Sequence, residues 1–275
     1  MSTPSRTVHE PHAVYEPPGP RDRRVRRVRR VLRVLRVLRA ERIKFTTLRS
    51  LWLTPLFALL LTAGITTAVG AALGGAEPSI VDDPGVGVFY GLNFGHVALA
   101  CFGILLIGQE FNTRMIDVSF TAVPRRARMY GAKLALGALV GLAVGAAGTA
   151  GAFAGYAATV PGDWHGPAFT RAVAAGVLYP PLLVVFCFGL TALFGNLTAA
   201  MGLLVPTVFL VSPALGGLPG ARLAAQFLPD RAGQYALHYV DDPDVAYGHW
   251  TGLLIMALWA AAAAYAGLRA LRRTK

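Results

Sequence analysis

The sequence predicts an all-α membrane protein, with six transmembrane helices and both termini in the cytoplasm. Three observations lead there. First, 55% of the 275 residues are hydrophobic and the mean hydropathy is +0.51, too apolar for an ordinary soluble domain. Second, the apolar residues gather into six runs of about 20 residues, enough to cross a ~30 Å hydrocarbon layer. Third, Lys and Arg fall almost wholly on one side of those runs, which orients the chain.

Residues 1–20 are polar and carry Pro4, Pro11, Pro17, Pro18 and Pro20. Such a stretch cannot bury a core and is expected to be a disordered tail. Residues 21–50 form a basic cytoplasmic or interfacial segment. It holds 12 Arg and one Lys against Asp22 and Glu41, a local charge of +11 in a chain of net +12. Arginine recurs there at every third position from Arg24 to Arg39. A three-residue step drifts by about 60° on a helix, so these arginines spiral and make no single stripe. Anionic lipid is the expected partner of this segment. Nucleic acid is not, because no aromatic interleaving or folded reading module accompanies the arginines. No signal peptide is expected, since the first apolar run starts after residue 50 behind this basic tract. The high Arg and low Lys content, 23 against 3, fits a GC-rich bacterial genome and thus a bacterial plasma membrane.

The six runs are placed at Leu51–Leu73, Val86–Ile107, Leu134–Ala158, Ala172–Phe194, Ala199–Leu218 and Trp250–Leu268, a membrane domain of residues 51–268. Residues 269–275 follow as a basic cytoplasmic tail. Gly195, Asn196, Leu197 and Thr198 alone join the fourth run to the fifth. The inner side carries residues 21–50, five Lys/Arg in 109–133, and Arg269, Arg272, Arg273 and Lys275. The outer loops hold instead Glu77, Asp82, Asp83, Asp163, Asp230, Asp241, Asp242 and Asp244, with only Arg222 and Arg231 against them. Trp52, Trp164, Trp250 and Tyr247 near the ends of the runs fit an interfacial belt.

No run has Lys, Asp or Glu at its centre, which weighs against a proton- or sodium-coupled carrier and against a charged-ring channel. Asn93 and His96 are the most polar inward candidates, and His96 is expected to be a hydrogen-bonded packing residue. Gly137, Gly141 and Gly145 put two small-xxx-small steps on one face of the third run, where a neighbouring helix can approach closely. Pro180 and Pro181 in the fourth run, and Pro206 and Pro213 in the fifth, should kink or locally break those helices. Cys101 and Cys187 lie in apolar runs and read as buried structural thiols.

The most informative polar interval is 108–133, GQEFNTRMIDVSFTAVPRRARMYGAK. A helix is expected from Gln109 to Val123, with Phe111, Met115, Val118 and Ala122 on its apolar side. Glu110, Arg114 and Asp117 form an exposed stripe beside them. Pro124 stops the helix, and Arg125, Arg126 and Arg128 follow. This describes an interfacial element that presents a polar side to the cytoplasm.

The long outer loop, 219–249, is half apolar and is expected to dip back as short helices. A metal site from its His238, Asp241, Asp242 and Asp244 is outweighed by a solvated acidic loop. No metal or cofactor is expected. The chain has no G-x-x-x-x-G-K-[ST] phosphate loop, no H-E-x-x-H and no G-x-S-x-G, so it is not expected to be an enzyme in its own right.

Three stretches carry a family resemblance. RAERIKFTTLRSLW before the first run resembles the start of bacterial type-2 ABC transporter permeases. EFNTRMIDVSFTAVPRRARMYGAK resembles the cytoplasmic segment between their second and third spans. The outer LPDRAG is also similar to these permeases. The resemblance covers residues 39–275. It implies a permease homodimer or heterodimer working with a separate ATPase subunit, and an exporter whose substrate it does not name. The segment with Glu110, Phe111, Arg114, Asp117, Pro124, Arg125 and Arg126 would then couple to that ATPase. Two other readings stand beside it: a non-transporting membrane immunity or sensor protein, and a secondary carrier.

Overall fold

The computed structural model describes residues 49–73, 84–113, 126–160, 166–218 and 220–273. Residues 1–20, expected to be a disordered tail, all but the last two residues of the basic segment 21–50, and residues 114–125 lie outside the described residues. Among the described residues there is helix and turn but no strand. Six helical spans are long and apolar enough to cross a membrane. The chain is a multi-pass, all-α membrane protein.

The first four spans are α1 (Arg49–Leu73), α2 (Pro84–Asn112), α3 (Arg126–Ala157) and α4 (Pro167–Phe194). The fifth is composite: α5 (Leu197–Pro206), a π-helical turn (Thr207–Val211) and α6 (Ser212–Gly217). Two short helices follow, α7 (Arg222–Ala225) and α8 (Pro229–Tyr235), before the last span, α9 (His249–Arg273).

Each boundary has a local cause. Pro167 opens α4, where a missing N–H is harmless. Gly195 ends it at φ 63°, the left-handed region that favours glycine, and its N–H bonds Thr191 O at 2.9 Å. The next residue, Asn196, starts α5 by accepting the Ala199 N–H at 3.0 Å. The fourth and fifth spans thus meet at a two-residue corner, tighter than the four residues expected.

Two helices form the inside of the bundle. In its most apolar window α2 is 72% buried and α4 56%, against 33% or less for α1, α3, α9 and the fifth span. The core runs along α4. Tyr179 and Leu183 pack with Phe89, Leu92, Ile104 and Met256, and Phe188 packs with Leu99, Phe102, Ile107 and Tyr130. The outer faces carry Leu60, Leu139, Leu210, Leu258 and Tyr265, all more than 60% exposed. Lipid is the solvent that makes such faces favourable.

Close backbone approach holds the spans together, as small residues allow in lipid. Thr62 and Thr66 of α1 lie against Gly91 and Gly95 of α2. Gly137, Gly141 and Gly145 of α3 face α4 and α2 within the same chain. A Cβ on Gly141 would sit 2.8 Å from Pro181 Cα, and one on Gly145 would sit 2.7 Å from Val177 O. The proline pair does not break α4, which runs unbroken from 167 to 194. Pro180 and Pro181 lack N–H groups, so the carbonyls of Gly176 and Val177 lose their helical donors. Gly145 lies against those two oxygens, where a larger residue would clash. In the fifth span, Pro206 is followed at once by the π turn, and Pro213 lies in the first turn of α6. Here the helix is locally widened, as expected beside prolines. Both cysteines are free thiols, Cys187 buried and Cys101 half-buried.

Candidate functional site

Two polar constructions stand at opposite ends of the bundle. One is at the end where α2 finishes and α3 begins, called the base. The other is the cap, residues 220–248.

At the base, Glu110 lies in the last turn of α2. Lys133 lies seven residues into α3, about 10 Å along its axis. Their side chains meet, Lys133 Nζ to Glu110 Oε1, at 3.0 Å, with side-chain exposures of only 4% and 10%. The exposed stripe expected for Glu110 is therefore corrected. Rather than opening a new helix at Gln109, α2 continues to Asn112, which turns Glu110 toward α3. Likewise α3 starts at Arg126, eight residues before the expected Leu134, so Lys133 is inside a helix. Phe111 is half-buried against the Phe188 core and lies near Gly195. Arg114, Asp117, Pro124 and Arg125 lie outside the described residues, and Arg126 is the first residue of α3. A buried carboxylate and a buried ammonium each need the other, because either alone would keep its full desolvation penalty. The pair therefore fastens both ends of the interval between α2 and α3 to one point. Nearby, the Tyr130 hydroxyl donates to Ala264 O at 2.8 Å and ties α3 to α9.

In the middle of the bundle, His96 is 1% exposed, and its ring meets Tyr179 edge-on at 4.4 Å. Neither ring nitrogen has a hydrogen-bond partner. The expected packing role is present and the expected hydrogen bond is not. Asn93 is exposed on α2 and borders a small cavity of about 70 Å³ with Phe89, Gln234 and His238.

The cap is stitched together, not merely solvated. Arg222 bonds Asp244 at 2.6 Å and Asp242 at 3.2 Å. Arg171, at the start of α4, donates to His238 O at 2.7 Å and Tyr239 O at 3.1 Å. His249 lies 3.2 Å from Asp241 and stacks on Tyr235 with ring centroids 4.6 Å apart. Gln226 accepts from Ala246 N at 2.9 Å through its side chain, and its carbonyl accepts from the Tyr247 hydroxyl. Asp242 and Asp244 are thus engaged by Arg222, and Asp241 lies against the His249 ring. No group of three metal-ligating side chains occurs among the described residues. Asp230, beside Arg231, is 3% exposed. Burial raises its pKa above the usual carboxylate value, against the opposing pull of backbone amides and Arg231. Burial also pushes the Tyr247 hydroxyl up to about 12, so it stays a neutral donor. Arg222, Gln226, Arg231, Tyr235, Asp242 and Tyr247 line a cavity of about 300 Å³ within the cap.

Reading the sequence alone missed the Glu110–Lys133 pair, the Arg222 clamp, the Arg171 staple and the burial of Asp230. The first had a signal: one acid and one lysine of opposite sign at the two ends of the same loop. So did the second, since Arg222 is one of only two cations in an otherwise acidic loop. No family model matches the chain, and comparison with curated proteins returns no match.

Proposed function

We propose that this chain is the membrane-spanning permease subunit of an ABC exporter, driven by ATP hydrolysed on a separate subunit. The observation that carries the reading is the buried Glu110–Lys133 pair. It closes the 110–133 segment at its root and joins the ends of two spans, one of which is the most buried helix of the bundle. A partner that moved the segment would move α2 and α3 together. Both pack on α4, so the motion would reach the core without being lost in a slack loop. Nucleotide binding to the ATPase would bias the bundle between two arrangements, and alternation would follow from the differential stability of each state. The chain's lack of a phosphate loop is consistent with an energy source on another subunit. The base would then face the cytoplasm of a bacterium, and the cap the outside. The resemblance in RAERIKFTTLRSLW, in the 110–133 segment and in LPDRAG supports the same reading, with a permease homodimer or heterodimer.

The test is affinity purification of the full chain in mild detergent from its native host, followed by vesicle reconstitution. A nucleotide-binding subunit should remain bound, and its ATPase rate should rise with the permease present. Purification with no such subunit, or gradient-driven transport without ATP, overturns the proposal.

A further inference from the structure

We propose that His249 is an acid-sensitive latch: as a neutral ring it holds the end of the cap on the bundle, and when protonated it lets that end go. Three parts of the chain meet at this residue. Arg171 stands near the start of α4, His249 opens α9, and residues 238–241 belong to the stretch between α8 and α9. Arg171 Nη2 lies 2.7 Å from His238 O, 3.1 Å from Tyr239 O and 3.2 Å from His249 Nε2. On the other side of the ring, Nδ1 lies 3.2 Å from a carboxylate oxygen of Asp241.

These contacts decide where the ring carries its proton. A guanidinium only donates, so His249 Nε2 must present its lone pair to Arg171. Nδ1 then holds the hydrogen and donates it to Asp241. The arrangement suits a neutral imidazole. A second proton would go to Nε2 and set donor against donor, and cation against cation, across 3.2 Å. Turning the ring away would break its stack on Tyr235, whose plane is only 7° from its own. Nor does water screen the charge well, since the His249 side chain is 5% exposed.

Repulsion becomes release because one nitrogen makes all three bonds. Arg171 Nη2 cannot withdraw from His249 and keep the carbonyls of His238 and Tyr239. Arg171 Nε is buried without a partner and adds no second hold. His238 lines both the cavity within the cap and the smaller one beside Asn93, so freeing it opens both. The charged and titratable groups facing the ring are Arg171 of α4, Tyr235 of α8, and His238 and Asp241 between α8 and α9. On α9 itself the next charge is Arg269. The folded contacts favour the neutral ring. The hold is therefore complete above the ordinary imidazole value of about 6.5 and is lost as pH falls below it. Asp230 works in the opposite direction, because burial raises its pKa and the fold favours its protonated form. The latch needs only a cap in contact with water, and it does not rest on the permease reading.

The test is amide hydrogen exchange on the purified full chain in non-ionic detergent, read by mass spectrometry over residues 236–248. Rates are taken from about pH 8 to about pH 5 and divided by the intrinsic rate at each pH. In wild type, protection of this stretch should fall about tenfold on acidification, the scale of one lost charge-assisted contact. The amides of α4 around Gly189 should not change. In His249→Gln, the side-chain oxygen can accept from Arg171 and carries no titratable proton, so the acid step should vanish. Arg171→Gln should exchange fast at both ends of the range, also without a step. His238→Gln should keep the step. Absence of the step in wild type overturns the proposal. So does a step that survives in His249→Gln or Arg171→Gln, a step abolished by His238→Gln, or an equal loss of protection in α4, which would be general unfolding. If His249→Gln does not fold, the Arg171 and His238 variants decide.

Discussion

Glu110 and Lys133 show how much a single side chain's surroundings change what its mutation should do. An exposed ion pair contributes about 0.5 kcal/mol, but removing one partner of a buried pair leaves an uncompensated charge and costs about 3–5 kcal/mol. Glu110→Gln and Lys133→Met should therefore each lower the thermal unfolding midpoint in detergent markedly. The double variant should recover most of the loss, because no lone charge remains. If the two single effects simply add, the pair is not coupled. Asp230 gives a second test. Its pKa is raised in the folded state, so the folded chain binds this proton more tightly than the unfolded chain does. Its contribution to stability is then largest at acid pH. It is lost as pH rises from the ordinary carboxylate value through the raised one. Asp230→Asn should flatten that fall, measured as unfolding midpoint against pH; an unchanged slope would remove the assignment. Neither burial was legible from the residues. Charge and spacing put Glu110 on a helix correctly, but which way that helix turned depended on where α2 ended. Gly108, directly after Ile107, reads as a helix end, but α2 runs through it to Asn112.

At the scale of elements, the six spans were legible because hydropathy and length depend on lipid thickness alone. Their ends were not, since α2, α3 and α9 continue past the apolar runs into charged residues. Glycine spacing in α3 pointed to a close-packed face but not to its neighbour. That neighbour is α4, and the contact lies inside one chain. Gly141→Leu should therefore destabilise the monomer, by about 1–3 kcal/mol or more as overpacking against Pro181 forces the helices apart. Yield and unfolding midpoint should fall together. A variant of normal stability that only dissociates a dimer would contradict the packing seen here.

For the whole molecule, the charge asymmetry predicts which end faces which compartment. Single cysteines replacing Asp242 in the cap should react with an impermeant maleimide added to whole cells. A cysteine replacing Arg126 should react only after the membrane is opened. Labelling of the Arg126 position from outside would invert the topology, and with it the proposed coupling to an ATPase. The prediction rests on the pattern of Lys and Arg. The architecture of the cap was not, because its order comes from contacts between positions 20 to 80 residues apart, such as Arg171 with His238 and Arg222 with Asp244.

The meeting of α4 and α9 has a mechanical consequence. Gly189 lies against the backbone of Ala263 and Ala264, and Gly267 against Gly189, Ala192 and Tyr130. With no side chains between them, the two helices cannot slide without a backbone collision, so they behave as one double-width beam. A load applied at Arg273 would be carried along this beam to Tyr179, in the core beside His96. The amides around Gly189 and Gly267 should accordingly be among the last in the protein to exchange with deuterium.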